Sequence, residues 1–279
     1  MALNWPTFFT RLGSAIVFCI IMMFGLLGNI YCFLGLTLII QVLCLREYLR
    51  LIPKIFPDME WPSWMPWVTQ IAGLLAFAAR FFFAARSETS YPFVIAFIPV
   101  LMLLIGTLRK KTALMAVFAA FGGLFYIVLP ISLLIEMRSM SLVIPLALIL
   151  MIWMNDTMAY LVGSFIGKTP FSPISPKKTW EGTAGGAILT IVGAAIWGHF
   201  TSYYHMIDWM ALALCAAVAG TAGDLLESKL KRMAEVKDSG TMMPGHGGAL
   251  DRFDSLLVAA PFAFAYAYVF MYDLPITIF

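Results

Sequence analysis

The chain has 279 residues, of which 62% are hydrophobic and only 12% carry a charged side chain. Soluble globular proteins have about a quarter charged residues, so a soluble domain of this length could not bury so much apolar surface. Disordered chains and coiled coils also need more charge and are excluded. The net charge of +3 is too small to indicate nucleic-acid binding. The composition therefore predicts a protein embedded in the lipid bilayer.

The apolar segments predict an all-α, polytopic integral membrane protein with about nine transmembrane helices. The uncharged stretch 12–45 is too long for one span of about 20 residues, and Gly28-Asn29 in its middle predicts a turn. The predicted helices are 12–27, 30–46, 67–84, 90–108, 113–135, 141–165, 183–204, 207–226 and 253–272. Between the second and third, segment 47–66 is rich in Pro and Trp and is expected at the membrane interface.

The chemistry-bearing residues are concentrated in the second half of the chain. We expect residues 1–140 to hold about five helices and the interfacial segment. Residues 141–279 are expected to form a catalytic region of about four helices, in which two polar loops, 164–182 and 227–252, form the site. Most of the 18 Lys and Arg residues fall in alternate loops. By the positive-inside rule, the N-terminus and both polar loops are expected in the cytoplasm and the C-terminus on the opposite side.

Asp156 lies deep in the sixth predicted span. A carboxylate there costs a few kcal/mol unless it faces a polar interior. It is expected either to line a substrate cavity or to pair structurally with Arg80.

The motif Ser-Pro-Lys-Lys-Thr-Trp-Glu-Gly precedes the seventh predicted span. Its two lysines and two hydroxyls suit a phosphate, and the following helix N-terminus adds backbone donors. Ser175, Lys177, Lys178 and Thr179 are therefore candidate phosphate-binding residues. Glu181 could bind with them or act as a capping-box partner, and lysines at this position are also ordinary topology determinants.

Two pairs of acidic residues flank the second polar loop. Asp224 and Glu227 end the eighth predicted span, and Asp251 and Asp254 begin the ninth, each pair on one helix face. We expect the pairs to converge, and carboxylates that converge repel one another without a cation. Oxygen-only ligands favour Mg²⁺, which keeps waters and bridges to phosphates. The alternative is a solvated acidic fringe balanced by nearby basic residues.

A glycine-rich segment lies between the acidic pairs. Glycines on both sides of His246 would let the backbone amides of Gly247 and Gly248 approach a phosphate. Lys237 and Arg252 are cationic neighbours of this segment. A plain glycine-rich turn with a solvated histidine is the alternative interpretation.

The segment from Ser228 to Asp254 resembles the signature of the phosphatidate cytidylyltransferases, the CDP-diacylglycerol synthases. It reads Ser-x-Leu-Lys-Arg-x4-Lys-Asp-x-Gly-x3-Pro-x-His-Gly-Gly-x2-Asp-Arg-Phe-Asp. The Ser-Pro-Lys-Lys-Thr motif is similar to one shared by the wider group of membrane CTP transferases. The resemblance covers roughly the last 130 residues. Met243 stands where the family usually has Leu, Ile or Phe, and Ala249 stands where a larger aliphatic residue is usual. Both are packing positions.

The resemblance implies transfer of the cytidylyl group of CTP to phosphatidate, with release of pyrophosphate, in a helical bacterial-type inner-membrane protein that needs Mg²⁺. A second, monovalent cation and a homodimer are further expectations. The expected catalytic residues are Asp224, Lys237, Asp238, His246, Asp251, Arg252 and Asp254. The expected substrate-binding residues are Asp156, Ser175, Lys177, Lys178, Thr179, Glu181, Gly247 and Gly248. The expected metal ligands are Asp224, Asp251, Asp254 and Glu227. A CTP-dependent lipid kinase acting on a polyprenol, or a cation transporter, are the alternative functions.

Overall fold

The computed structural model of the chain describes residues 5–84, 111–242 and 247–271. Its helices are α1 (Trp5–Leu27), α2 (Ile30–Ile55), α3 (Met65–Ala84), α4 (Lys111–Gly123), α5 (Leu129–Met140), α6 (Val143–Ile166), α7 (Trp180–Phe200), α8 (Met206–Met233) and α9 (Leu250–Phe270). A π-helical segment, Leu124–Val128, joins α4 to α5, and the strands are β1 (Pro170–Ser172) and β2 (Ser175–Thr179). Pro130, whose ring cannot follow a regular helical turn, comes directly after the π-helical segment.

Six of the described helical segments are long and apolar enough to cross a bilayer, and two more, Leu12–Leu27 and Met65–Ala79, are apolar but shorter. These eight correspond to eight of the predicted helices, which confirms a polytopic, predominantly helical membrane protein. The predicted span at 90–108 lies outside the described residues. The count of nine spans therefore stays a prediction.

Several helix boundaries differ from the predicted ones by about one to three turns. α2 continues past residue 46 and through Pro53 to Ile55, α8 continues past residue 226 to Met233, and α9 begins at Leu250. The sequence argument ended each helix where charge appeared, whereas helices extend beyond the hydrocarbon when the residues are good helix formers such as Leu, Glu, Lys and Arg. Asp251 and Asp254 consequently lie in the first turns of a helix.

The chain forms two compact units: Met1–Ser132 with Leu230–Phe253, and Leu133–Lys229 with Asp254–Phe279. The predicted division at residue 140 stays a prediction.

In the first unit, side-chain amides connect α2 to α3: Gln41 donates to the carbonyl of Gly73 at 2.9 Å, and Gln70 donates to the carbonyl of Val42 at 3.1 Å. The Tyr48 hydroxyl donates to the carbonyl of Ala119 on α4 at 3.0 Å. These hydrogen bonds satisfy polar groups that bilayer lipid could not.

In the second unit, small residues let α6 and α7 pack closely. Gly182 and Gly186, four residues apart on α7, face Ala159 and Gly163, four apart on α6. A Cβ added at either α7 glycine would collide with the α6 backbone. Small residues at this spacing bring membrane helices together. The close pair fixes where α6 ends and α7 begins, and therefore where the segment between them lies.

Residues 167–179, expected to be part of an irregular loop, instead contain an antiparallel hairpin. Pro170 pairs with Thr179, and Ser172 pairs with Ser175. The ring of Phe171 meets Trp180 edge-on, with ring centroids 4.5 Å apart. The fold is thus predominantly helical, in agreement with the predicted helical membrane class, and the hairpin is a small addition to it. The apolar segments that predicted the helices carry no information about a three-residue strand in the polar loop between them.

Candidate functional site

The hairpin presents the two motif lysines differently. Successive residues of a strand point to opposite faces. Lys177 is exposed, whereas Lys178 is partly buried, and its ammonium forms an ion pair with the carboxylate of Asp224 on α8. The Lys178 and Asp224 side chains keep 27% and 30% of their surface exposed. The pair therefore remains within reach of solvent and of a soluble ligand.

A close approach of α8 and α9 surrounds Asp224 in the second unit. A Cβ at Gly223 would collide with the backbone carbonyl of Asp254, and one at Gly220 would contact Ser255. The absence of side chains at these glycines brings the backbone of Asp224 beside that of Asp254. Ser228, one turn further along α8, donates its hydroxyl to Asp224 at 3.2 Å.

Glu227, also on α8, is completely buried, unlike Asp224. The two carboxyl groups of this pair thus occupy different environments although they lie one turn apart. Only Asp224 has a partly exposed side chain adjoining the hairpin lysine.

Two predicted residues of the hairpin motif make contacts within the hairpin and at its helix junction. Thr179 is the N-cap of α7 and accepts a hydrogen bond from the amide of Gly182 at 3.1 Å. Glu181 accepts from the amides of Lys168 and Thr169 and from the Thr169 hydroxyl, the last at 2.7 Å. Glu181 therefore ties down the chain before β1 rather than completing a capping box with Thr179.

In the first unit, a Schellman motif ends α8 and directs the chain into the glycine-rich segment. The amide of Val236 donates to the carbonyl of Lys231, and the amide of Glu235 donates to the carbonyl of Arg232. Glu235 adopts the left-handed conformation, with φ of 56°. This position is ordinarily glycine, because a Cβ makes the conformation unfavourable.

Asp251, in the first turn of α9, is the most heavily bonded of the predicted site carboxyls. One oxygen accepts from the Lys231 ammonium at 2.6 Å. The other accepts from the Ser239 amide and hydroxyl, both at 2.9 Å, and from the Gly248 amide at 2.7 Å. Its side chain is only 5% exposed. Gly247, with φ of +83°, completes the turn against Asp238 and Asp251.

Glu47 on α2 is a site residue that the sequence analysis missed. It is buried and accepts hydrogen bonds from the Ser239 hydroxyl at 2.7 Å and from the amides of Ala249 and Leu250 at 2.9 and 2.8 Å. It thus satisfies amides that the start of α9 leaves without intrahelical partners. A Cβ at Gly240 or Gly248 would collide with the Glu47 carboxyl, which explains both glycines.

The remaining predicted residues are placed as follows. Asp156 is exposed on α6, and the Arg80 side chain, its alternative structural partner, lies outside the described part of the chain. Lys237, Asp238 and Arg252 are exposed, and His246 lies outside the described residues. Within the described residues, no group of three or more His, Cys, Asp or Glu side chains could hold a metal ion.

The donor set of the second unit nevertheless suits Mg²⁺. Mg²⁺ is usually held by one or two carboxylates, with waters and substrate phosphates as its other ligands. Asp224 on α8 lies beside the backbone of Asp254 on α9, and the Asp224 side chain is 30% exposed. A cluster of three protein ligands is therefore not required for this ion.

Sequence comparison identifies a family and several named relatives. A model of the cytidylyltransferase family matches residues 9–270. The phosphatidate cytidylyltransferase of Bacillus subtilis (strain 168) is 47% identical over 115 residues, which are 40% of this chain and 43% of that protein. That of Haemophilus influenzae is 41% identical over 128 residues, 44% of each chain. That of Staphylococcus aureus (strain COL) is 43% identical over 129 residues, 45% of this chain and 49% of that protein. The matched stretch thus spans less than half the length of these curated relatives.

Proposed function

The chain belongs to the cytidylyltransferase family, and we propose that it transfers the cytidylyl group of CTP to phosphatidate, forming CDP-diacylglycerol for phospholipid synthesis. The family match over residues 9–270 carries this proposal, and the names of the bacterial relatives supply the lipid substrate. In the reaction, a phosphate oxygen of phosphatidate attacks the α-phosphorus of CTP. The bond from the α-phosphorus to the bridging oxygen breaks, and pyrophosphate leaves with the electron pair.

This chemistry needs no enzyme nucleophile, because the lipid phosphate supplies the attacking oxygen. It needs the two anionic substrates to be held together and their charge to be neutralised. The partly exposed pair of Lys178 and Asp224 provides a cation beside a carboxylate. We propose that Lys178 binds a substrate phosphate. Lys177 and Ser175 lie on the opposite face of β2 and are proposed as further substrate-binding residues, and Asp156 is proposed to contribute to the polar wall of the substrate site.

Asp224 and Asp254 are the proposed Mg²⁺ ligands of the second unit. Bound Mg²⁺ would act as a Lewis acid and neutralise charge on the phosphates. Asp224 would exchange its partner from the Lys178 ammonium to the cation, leaving the ammonium for phosphate. Roles for Glu227 and Asp251 as further ligands, and for a second, monovalent cation, stay proposals.

In the first unit, the glycine-rich segment is the proposed nucleotide-binding element. Lys237 and Arg252 are exposed cations at its two sides, and Gly247 holds the turn in a left-handed conformation. Asp238 and His246 belong to the same proposed element. Asp251 and Glu47 hold its backbone through the contacts described above, so that its cations need little reordering when a triphosphate binds.

The test of this function is a product assay with purified protein, radiolabelled CTP and phosphatidate. We expect labelled CDP-diacylglycerol in the presence of Mg²⁺ and its loss in excess EDTA. Substituting a polyprenol for phosphatidate tests a lipid kinase, which would yield CDP and a phosphorylated lipid instead. Full turnover in EDTA would remove the divalent cation from the mechanism, and formation of CDP alone would replace the cytidylyltransferase assignment.

We also propose a location and orientation. The bacterial relatives and the apolar helices support a plasma-membrane protein. The distribution of Lys and Arg along the sequence supports an N-terminus and hairpin that face the cytoplasm and a C-terminus on the opposite side. Cysteines introduced at the exposed positions Lys168 and His205 should then label from opposite sides of the membrane. Labelling of both from one side would overturn this orientation.

A homodimer is proposed as well, and cross-linking in native membranes tests it.

A further inference from the structure

An apolar groove of about 420 Å³ lies in the first unit between α1 and α2. Its α1 wall runs from Gly13 to Met22, and Leu36 and Ile39 line it from α2. The volume falls within the range of roughly 300–1,000 Å³ that is typical of small-molecule sites.

The segment proposed to bind nucleotide also contributes to the lining of this groove. Met242 and Phe253 both line it. The ring of Phe253 lies against that of Phe18 on α1, with centroids 5.8 Å apart. Phe253 follows Arg252 and Asp251 directly in the sequence. The groove is thus continuous with a polar segment rather than being an isolated dent in a lipid-facing surface.

The groove walls are open and apolar. Val17, Ile21 and Ile39 are 56%, 53% and 58% exposed. The hydroxyl of Ser14, which also lines the groove, donates to the carbonyl of Thr10 in its own helix at 2.9 Å. These side chains would meet lipid in a bilayer and offer contacts to a hydrocarbon chain.

We propose that this groove binds an acyl chain of the phosphatidate substrate. The inference rests on the proposed function, because only a lipid substrate would need its chain held beside the nucleotide-binding segment. The nine-residue step from Gly13 to Met22 rises roughly 14 Å along α1. One leaflet of the bilayer has about 15 Å of hydrocarbon, half of the ~30 Å core, so the wall matches the extent of an acyl chain.

The acyl chain and the phosphate of the lipid would then be bound at two different places. The acyl chain occupies the groove and fixes the depth of the lipid, while cations outside the groove bind its phosphate. Burial of the chain, which does not react, then adds to the affinity for the lipid without changing the reacting phosphate. Affinity for phosphatidate should accordingly depend on chain length.

Two glycines provide a matched test. Gly13 lines the groove, Gly35 on α2 does not, and an added Cβ at either position meets nothing within 4 Å. Both lie inside helices, so a Gly→Leu change should give each helix the same gain in propensity. Gly13→Leu places an isobutyl group in the groove, and Gly35→Leu is the control.

The kinetic experiment compares a long-chain phosphatidate, dioleoyl, with a short-chain one, dihexanoyl, in detergent micelles. We expect Gly13→Leu to raise the KM for the dioleoyl substrate about tenfold, to leave kcat and the KM for CTP unchanged, and to leave the dihexanoyl kinetics unaffected. Gly35→Leu should change none of these. Equal effects on both lipids, or equal effects of both variants, would overturn the groove as an acyl site.

A cross-linking experiment separates this inference from the proposed reaction. Phosphatidate with a diazirine in mid-chain is photolysed with wild-type protein in vesicles, and the labelled peptides are identified. Labelling concentrated in 13–22, and reduced in Gly13→Leu, supports the groove even if no CDP-lipid is formed. Labelling spread evenly over lipid-facing helices, α7 included, means general bilayer contact and refutes the site.

Discussion

Two lysine–aspartate pairs among the described residues, one in each unit, differ in their surroundings. Lys231 and Asp251, in the first unit, have side chains 14% and 5% exposed. Lys178 and Asp224, in the second, are 27% and 30% exposed. Asp251 accepts three further hydrogen bonds from Ser239 and Gly248, whereas Asp224 accepts one from Ser228.

The difference separates a structural role from a ligand-binding one. Removing one partner of a buried ion pair leaves the other as an uncompensated charge in a poorly solvated place. Breaking such a pair therefore lowers the stability of the fold. A pair that keeps a third of its surface in solvent can change partners at little cost. We therefore expect the first pair to determine stability and the second to determine turnover.

The largest expected effect on turnover is that of Asp224→Asn. Loss of a ligand carboxylate should lower kcat/KM at least about a thousandfold, while the partly exposed site leaves the melting temperature almost unchanged. Specific activity and thermal unfolding in detergent are measured on the same preparation. Retention of more than about a tenth of the activity by a folded Asp224→Asn protein would contradict the assignment.

The reverse outcome is expected at Asp251 and Glu47 in the first unit. Asp251→Asn and Glu47→Gln each replace an acceptor oxygen by an amide that faces N–H or O–H donors. Each should lower the free energy of unfolding by about 3–5 kcal/mol, and any loss of activity should follow the loss of folded protein. Denaturant unfolding measures this. Glu60→Gln, at an exposed turn residue, is the control.

A normal melting temperature together with lost turnover in Asp251→Asn would move Asp251 into the ligand-binding class. That result would support the sequence-based prediction that Asp251 ligates metal. It would also remove the contrast between the two pairs.

The sequence predicted which residues belong to the polar regions better than how they pair. Asp224, Lys178 and Asp251 were identified because charge is rare in this apolar chain and these residues fall in its few polar motifs. Glu47 was missed because a single glutamate near a helix end looks like an ordinary interfacial residue. Its role depends on amides about two hundred residues away in the chain, and a pattern along the sequence does not report such a contact.

The local backbone conformation was also only partly predictable from the sequence. The Gly-rich composition predicted turns, and the structure supplies the left-handed Gly247. The hairpin of β1 and β2 was not predicted, because its strands are too short to show a period of two. The sequence argument also ended α8 near residue 226, at the first charges, although helix propensity continues through Leu230 and Lys231.

A smaller effect is expected for Lys178→Ala in the second unit. Loss of one charge-assisted phosphate contact should be worth on the order of 10- to 100-fold in kcat/KM. Initial rates measured against CTP and against phosphatidate show which KM rises, and so which substrate this lysine binds. Lys168→Ala, an exposed lysine in the same region, is the control. An equal loss in both variants would mean a general effect of surface charge.

The smallest expected effect is a gain in stability at the end of α8. Glu235 adopts φ of 56° at the position of the Schellman motif where glycine is usual. A left-handed conformation costs a residue with a Cβ roughly 1–2 kcal/mol, while glycine gives back part of that gain through its larger entropy in the unfolded chain. Glu235→Gly should therefore raise the free energy of unfolding by about 1 kcal/mol without changing kcat/KM. Glu235→Ala, which keeps a Cβ, separates this backbone effect from loss of the exposed carboxylate and should give no gain. If the alanine variant is as stable as the glycine variant, the gain comes from the charge. The end of α8 would then be set by electrostatics rather than by the Schellman turn that leads the chain into the nucleotide-binding segment.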